Sequence, residues 1–259
     1  MSKRLHRLSI LAAALGLVLA AAMPASANES TVAEQCKVPF DLIDDLASFP
    51  NTARQIVAER RLTVVALGAS STQGTAASSP EKAWPSRFAE ILGGRLSAIE
   101  VRVVNLGMRG QTARDMVDRL ARDVAPLKPA MIVWETGTVE AVRATDPAEF
   151  AHVLMEGVDA MAQLGADVIL MDPQYARTTA RLINFQPYLD ALRLTAGLPD
   201  VNLFPRHEVM RYWAETGRLM PRTREEMTKG NDDLYDCMAQ LLAEVVDRGL
   251  RQAAHAQRR

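Results

Sequence analysis

Five short apolar runs recur along this chain at intervals that leave room for a helix between each pair, and this alternation constrains the fold more than any other feature. The runs are Leu62–Leu67, Val101–Leu106, Met131–Trp134, Val168–Met171 and Val201–Phe204. The first reads as a buried strand. Helix-period stretches separate them. Trp84–Leu96 has Pro85 in its first turn, where a missing N–H costs nothing. Thr112–Val124 lines up Met116, Val117, Leu120 and Val124 on one face. Pro147–Leu164 stops at Gly165, and Asn184–Thr195 follows. A closing helix is predicted over Leu234–Leu250, capped by Asn231 or Asp232, with Leu234, Met238, Leu241, Leu242 and Val245 facing in. Strands alternating with helices imply right-handed βαβ units. The expected fold is therefore α/β: a flavodoxin-like, three-layer α/β/α sandwich on a five-stranded parallel sheet.

The first residues point to export. Lys3, Arg4 and Arg7 precede an apolar run from Leu8 to Ala22, and Ala25-Ser26-Ala27 has the small-residue pattern read by signal peptidase. Residues 1–27 are thus expected to be a signal peptide cleaved after Ala27. The run is too short for a stable membrane span. The mature chain would be periplasmic or secreted, with no membrane span left. About 230 residues remain, enough for one domain with a full core. Residues 28–60 read as a lead-in segment packing on the outside, 61–250 as the domain and 251–259 as a basic, flexible tail. A net charge of −1 carries no nucleic-acid signature. Two cysteines, Cys36 and Cys237, in an exported chain favour a disulfide; two buried free thiols are the alternative. No His/Cys/Asp group has metal-ligand spacing, so neither a metal nor a cofactor is expected.

The chemistry concentrates just after the strands, where open parallel sheets gather their ligands. Gly68-Ala69-Ser70-Ser71-Thr72-Gln73-Gly74 follows the first strand. Asn105-Leu106-Gly107-Met108-Arg109-Gly110-Gln111-Thr112 ends the second, and Trp134-Glu135-Thr136-Gly137-Thr138-Val139-Glu140 the third. Ser70 near a helix start would have backbone N–H groups aimed at a developing oxyanion. Gly110 would let its loop approach closely without a Cβ clash. Glu135 and Glu140 could line the pocket, although Glu140 also fits the start of an exposed loop. Arg109 fits either an anionic substrate or the plain surface. Trp84 and Trp134 read as core or pocket wall.

Together these blocks resemble the SGNH (GDSL) hydrolase superfamily over most of the mature chain. The resemblance gives Ser70 the nucleophile position of Gly-Asp-Ser-x-x-x-Gly, with Gly74 closing the block. Asn105, Gly107 and Gly110 match Asn-x-Gly-x-x-Gly, and Gly110 takes an oxyanion-hole position. Gly137 and Thr138 match the start of Gly-x-Asn-Asp. Asp172-Pro173-Gln174-Tyr175-Ala176 is also similar to exported bacterial members. It implies an esterase acting on small-molecule or glycan esters, carbohydrate O-acetyl groups among them.

Three positions depart from the pattern. Ala69 replaces the aspartate, Val139 replaces the oxyanion-hole asparagine, and the final Asp-x-x-His block has no histidine. In one register Asp232 or Asp233 takes the aspartate position and the histidine falls near Tyr235 or Asp236; in another, Glu226 pairs with Lys229. A serine is a weak nucleophile without an adjacent base. His207 follows the fifth strand and has a route to Ser70, yet equally suits the start of a helix. His152 lies mid-helix and His255 in the tail. Lys229 is a second base candidate, since burial can depress a lysine pKa. Three function classes follow: a serine esterase with an unusual base, a degraded relative that binds a glycan or acyl ligand, and a phosphate nest formed by Ser70-Ser71-Thr72.

Overall fold

The structure, a computed structural model, describes residues 32–43, 49–219 and 224–256, with side chains of the last segment described from 230 to 253. The expected signal peptide and the end of the tail lie outside the described residues. So does the Lys229 side chain.

The expected alternation is realised. Strands β1 (Arg61–Gly68), β2 (Glu100–Gly107), β3 (Met131–Glu135), β4 (Asp167–Met171) and β5 (Val201–Phe204) form one sheet in the order β2-β1-β3-β4-β5. All its pairings are parallel. The order reverses beside β1, so the carboxyl ends of β1 and β3 border the crevice where this architecture places its ligands.

The central strands are buried on both faces, which is why they read as continuous apolar runs. Leu62, Val64 and Ala66 enter one core with Met131, Val133, Ile169 and Met171, while Val65, Leu67, Ile132, Trp134, Val168 and Leu170 enter the other. The first core is covered by α1 (Pro50–Glu59), α3 (Trp84–Arg95), α8 (Arg206–Glu215) and α9 (Arg224–Ala256). The second is covered by α4 (Ala113–Val117), α6 (Pro147–Gln163) and α7 (Gln186–Thr195). Two short helices, α2 (Ser70–Gln73) and α5 (Thr138–Arg143), cap the ends of β1 and β3. Trp84 and Trp134 are both fully buried.

Four local expectations are corrected. The helix predicted over 112–124 is α4 followed by a π turn, Leu120–Val124. Pro126 cannot continue an α ladder, and its ring opposes the carbonyl four residues back. The closing helix starts at Arg224, so neither Asn231 nor Asp232 caps it. Gly230 is absorbed within it at a cost of about 1 kcal/mol. The lead-in does more than coat the domain: Cys36 and Phe49 are fully buried in the first core. A disulfide joins Cys36 to Cys237, with the Cα atoms 4.9 Å apart. Helix α9 continues through 251–256, and Ala253 is buried.

Candidate active site

Ser70 is the first residue of α2, set directly after β1. Its side chain is half-buried and makes no hydrogen bond among the described residues. The N–H groups at the start of a helix have no partner within it. Those of Ser70 and Ser71 are bonded to no other described residue, and neither is that of Gly110. Successive side chains of a helix point about 100° apart. Ser71 and Thr72, both buried, turn into the protein and leave Ser70 outermost.

Asn105 and Gly107 lock the second loop onto α2. Asn105 Nδ2 donates to the Thr72 carbonyl at 2.8 Å, and Asn105 Oδ1 accepts from Gly107 N at 2.9 Å. A Cβ on Gly107 would lie 2.2 Å from Gln73 N and 2.5 Å from Thr72 C, so only glycine permits this contact. The close approach expected at Gly110 therefore occurs at Gly107. Gly110 is needed for its backbone instead, at φ +75°, with its carbonyl accepting from Arg143 Nη2 at 3.0 Å.

The third loop is held by a buried carboxylate. Glu140 does not begin an exposed loop: it is 2 % exposed, and accepts from Gly137 N at 3.1 Å and from Ala113 N. Burial pushes its carboxyl above the usual range. Gly137, at φ +87°, ends the turn into α5. Thr138 follows it, and its hydroxyl is buried without a partner among the described residues. Val139 packs against the second core. Arg109 is exposed.

Beneath Ser70 lies a charged cluster. Glu135, the last residue of β3, receives a hydrogen bond from Thr72 Oγ1 and an ion pair from Arg206 Nη2 at 3.0 Å. Arg206 Nη1 donates to Ser71 Oγ at 3.0 Å, and Nε to the Asp172 carbonyl at 2.9 Å. Burial works against the Glu135 charge, but Arg206, Ser71 and Thr72 outweigh it and hold the carboxyl below its ordinary range. Asp172 accepts from His207 N at 2.7 Å, and burial raises its carboxyl to about 7. Tyr235 is buried near Glu135 and Arg206. Burial, reinforced by the Glu135 charge, pushes its phenol up to about 12, so it stays protonated at neutral pH.

No candidate base whose side chain is described hydrogen-bonds to Ser70. The His207 ring packs edge-on to Tyr175 at 5.3 Å and against Phe185 at 5.7 Å. It borders a cavity of about 490 Å³ lined by residues 180–186 and Leu189, not by Ser70, and burial lowers its pKa. Asp232 accepts from Ser78 N at 2.8 Å and from its hydroxyl, tethering the loop after α2. Asp233 is half-buried on the next position of α9. The backbone places Lys229 one helical turn before Asp232. His152 is on the surface beside Glu156 at 3.1 Å. Among the described residues no His/Cys/Asp/Glu group could hold a metal ion. None of their helices is long and apolar enough to cross a membrane.

Arg206 escaped the reading of the sequence. The available signal is its position, two residues past β5 at a strand end.

No curated protein is significantly similar to the chain. Solved structures are. A lipase/acylhydrolase from Enterococcus faecalis is 20% identical, with 72% of this chain and 96% of that one covered and a TM-score of 0.54. A variant of a Geobacillus acetyl-xylooligosaccharide esterase is 19% identical, over 73% of this chain and 94% of that one, at 0.56. A two-domain esterase active on acetylated mannans is 16% identical over 82% of this chain and 57% of that longer one, at 0.62. They share the three-layer SGNH hydrolase fold described above. The model of the non-GDSL lipase-like family matches residues 35–252, from the lead-in to the closing helix, and the chain belongs to that family.

Proposed function

We propose that this protein is an exported serine esterase in which Ser70 attacks the acyl carbon of a small-molecule or glycan ester. The observation that carries the reading is the isolation of one hydroxyl. Of the three hydroxyl side chains opening α2, Ser71 and Thr72 are committed to the Glu135–Arg206 cluster, and Ser70 alone faces out at the strand end. The Ser70 and Gly110 N–H groups would hold the oxyanion, and each such donor is worth roughly 3–4 kcal/mol in a water-poor site. The Thr138 hydroxyl, without a partner among the described residues, stands beside Val139, where the SGNH pattern has its donor asparagine, and we assign it that lost role. As the Ser70 oxygen bonds to carbon, its proton passes to a base and then to the departing alcohol. Lys229 is our candidate, because the His207 ring packs on Tyr175 and Phe185 beside a cavity that Ser70 does not line, and Asp232 is engaged by Ser78. The names of structural neighbours active on acetylated xylo-oligosaccharides and mannans make acetylated glycans the first substrates to try. The signal-like first 27 residues and the Cys36–Cys237 bridge support an oxidising, exported location.

The test is p-nitrophenyl acetate hydrolysis by the mature, oxidised protein beside Ser70→Ala and Lys229→Met. Turnover lost in Ser70→Ala supports the esterase reading, and loss in Lys229→Met assigns the base. Equal, background rates for parent and Ser70→Ala would overturn it. That result favours a second reading, a cleft that binds a glycan or acyl ligand without cleaving it. Val139 at the asparagine position is the observation on its side.

A further inference from the structure

Helix α2 is four residues long, far too short to hold its own shape. Something outside it must fix the direction of Ser70. Asn105 binds its backbone from β2, but the side chains of Ser71 and Thr72 go elsewhere. Both end on the Glu135–Arg206 pair: Thr72 on Glu135 Oε2, and Ser71 on Arg206 Nη1. Glu135 and Arg206 are 3 % and 1 % exposed, so neither partner can be replaced by water without rebuilding the site. Arg206 is anchored in turn by the Asp172 carbonyl, and Asp172 by the start of α8. One guanidinium thus ties together the carboxyl ends of β1, β3, β4 and β5. Since side chains rotate about 100° per residue, pinning residues 71 and 72 dictates where residue 70 points.

We propose that Glu135 and Arg206 are positioning residues for the Ser70 nucleophile. They touch no substrate and act through Ser71 and Thr72. In this chain, which has Ala69 where the SGNH pattern has an aspartate, the pair supplies the charge that orients the nucleophile turn from below. The proposal rests on the esterase reading for its kinetic consequence, but not for its structural one.

The experiment separates stability from orientation. Replacing either charge alone leaves its partner buried and unpaired, which is strongly destabilising, whereas replacing both with apolar residues is far better tolerated. The set is Glu135→Met, Arg206→Met, the double variant, and Leu92→Ala as a core control remote from the site. Each is measured for thermal midpoint, for kcat and KM on p-nitrophenyl acetate, and for amide hydrogen exchange over residues 70–73. We expect the double variant to regain most of the midpoint lost by the single ones while kcat stays at least tenfold down, KM moves less than twofold, and exchange at 70–73 is at least tenfold faster. Leu92→Ala loses midpoint without these changes. If kcat recovers with the midpoint, or exchange at 70–73 matches the parent, the proposal is wrong. If the parent itself has no Ser70-dependent turnover, the esterase reading fails, and hydrogen exchange alone decides whether the pair positions the turn.

Discussion

A missing methyl group governs the site at Gly107. Its Cα lies against the backbone of α2, and the atoms an added Cβ would strike, Gln73 N and Thr72 C, belong to the main chain and cannot rotate aside. Gly107→Ala should therefore cost about 3 kcal/mol or more, lowering the melting temperature by about 6–12 °C, and should reduce any Ser70-dependent activity more than a core variant of equal instability. Calorimetry and ester turnover on the same preparations check both. Asp172 sets a pH dependence. Its carboxyl is raised from an ordinary 3.8 to about 7 because the ionised form is buried. The folded state then holds a proton that the unfolded chain releases. Stability from this group is complete below about pH 4 and is lost as pH rises through about 7, by roughly 4 kcal/mol in all. Asp172→Asn keeps an acceptor for His207 N and removes the titration. Denaturant melts from pH 4 to 8 should show the slope attributable to Asp172 in the parent and its loss in the variant; an unchanged slope would refute the assignment.

At the scale of elements, α9 reaches the site through Asp232 as well as Tyr235. Asp232 holds Ser78 by two hydrogen bonds, fixing the loop that follows α2. Asp232→Ala should cost about 1 kcal/mol, or about 2–4 °C in a chain of this size. Limited proteolysis should show faster cleavage within 75–82; unchanged cleavage would mean the loop is held by other contacts. This tether also shows which elements the sequence discloses. The strands were legible because burial on both faces writes an unbroken apolar run. The long helices were legible because one-sided burial writes a 3.6 period. Helix α1 was not, because its cap is remote: Asp167, at the start of β4, accepts from Thr52 N at 2.8 Å and Asn51 N at 3.2 Å. Helix α5 escaped for a related reason, since Glu140 bonds both to its first turn and across to α4. Ser70, Gly107 and Gly137 stood out because they lie in short local motifs that resemble those of the SGNH superfamily, whereas the Glu135–Arg206 pair joins residues 71 positions apart. No local pattern encodes such a pairing.

For the whole molecule, the first and last described parts of the chain meet at one covalent link. Cys36 and Cys237 are 201 residues apart, both sulfur-bearing residues are buried, and Trp213 Nε1 donates to the Cys36 carbonyl at 3.2 Å. The bridge fastens the lead-in to the middle of α9, which packs on α3 and sends Asp232 and Tyr235 toward the strand ends. Closing so long a loop restricts the unfolded chain by roughly 5 kcal/mol in the entropy model. The double substitution Cys36→Ser with Cys237→Ser should therefore lower the melting temperature by about 10–20 °C. Because the sulfurs are buried, the folded parent should resist dithiothreitol at 25 °C and lose the bridge only as it unfolds. The measurement is a pair of thermal scans with and without reductant, with thiols counted before heating. Early thiol release would mean that α9 opens locally, ahead of the rest of the fold. A melting temperature unchanged in the double variant would mean that the first core holds the lead-in unaided. The predicted pattern, slow reduction with a large loss once the link is gone, would make the disulfide the tie that keeps α9, and with it the tethered loop beside Ser70, in register with the sheet.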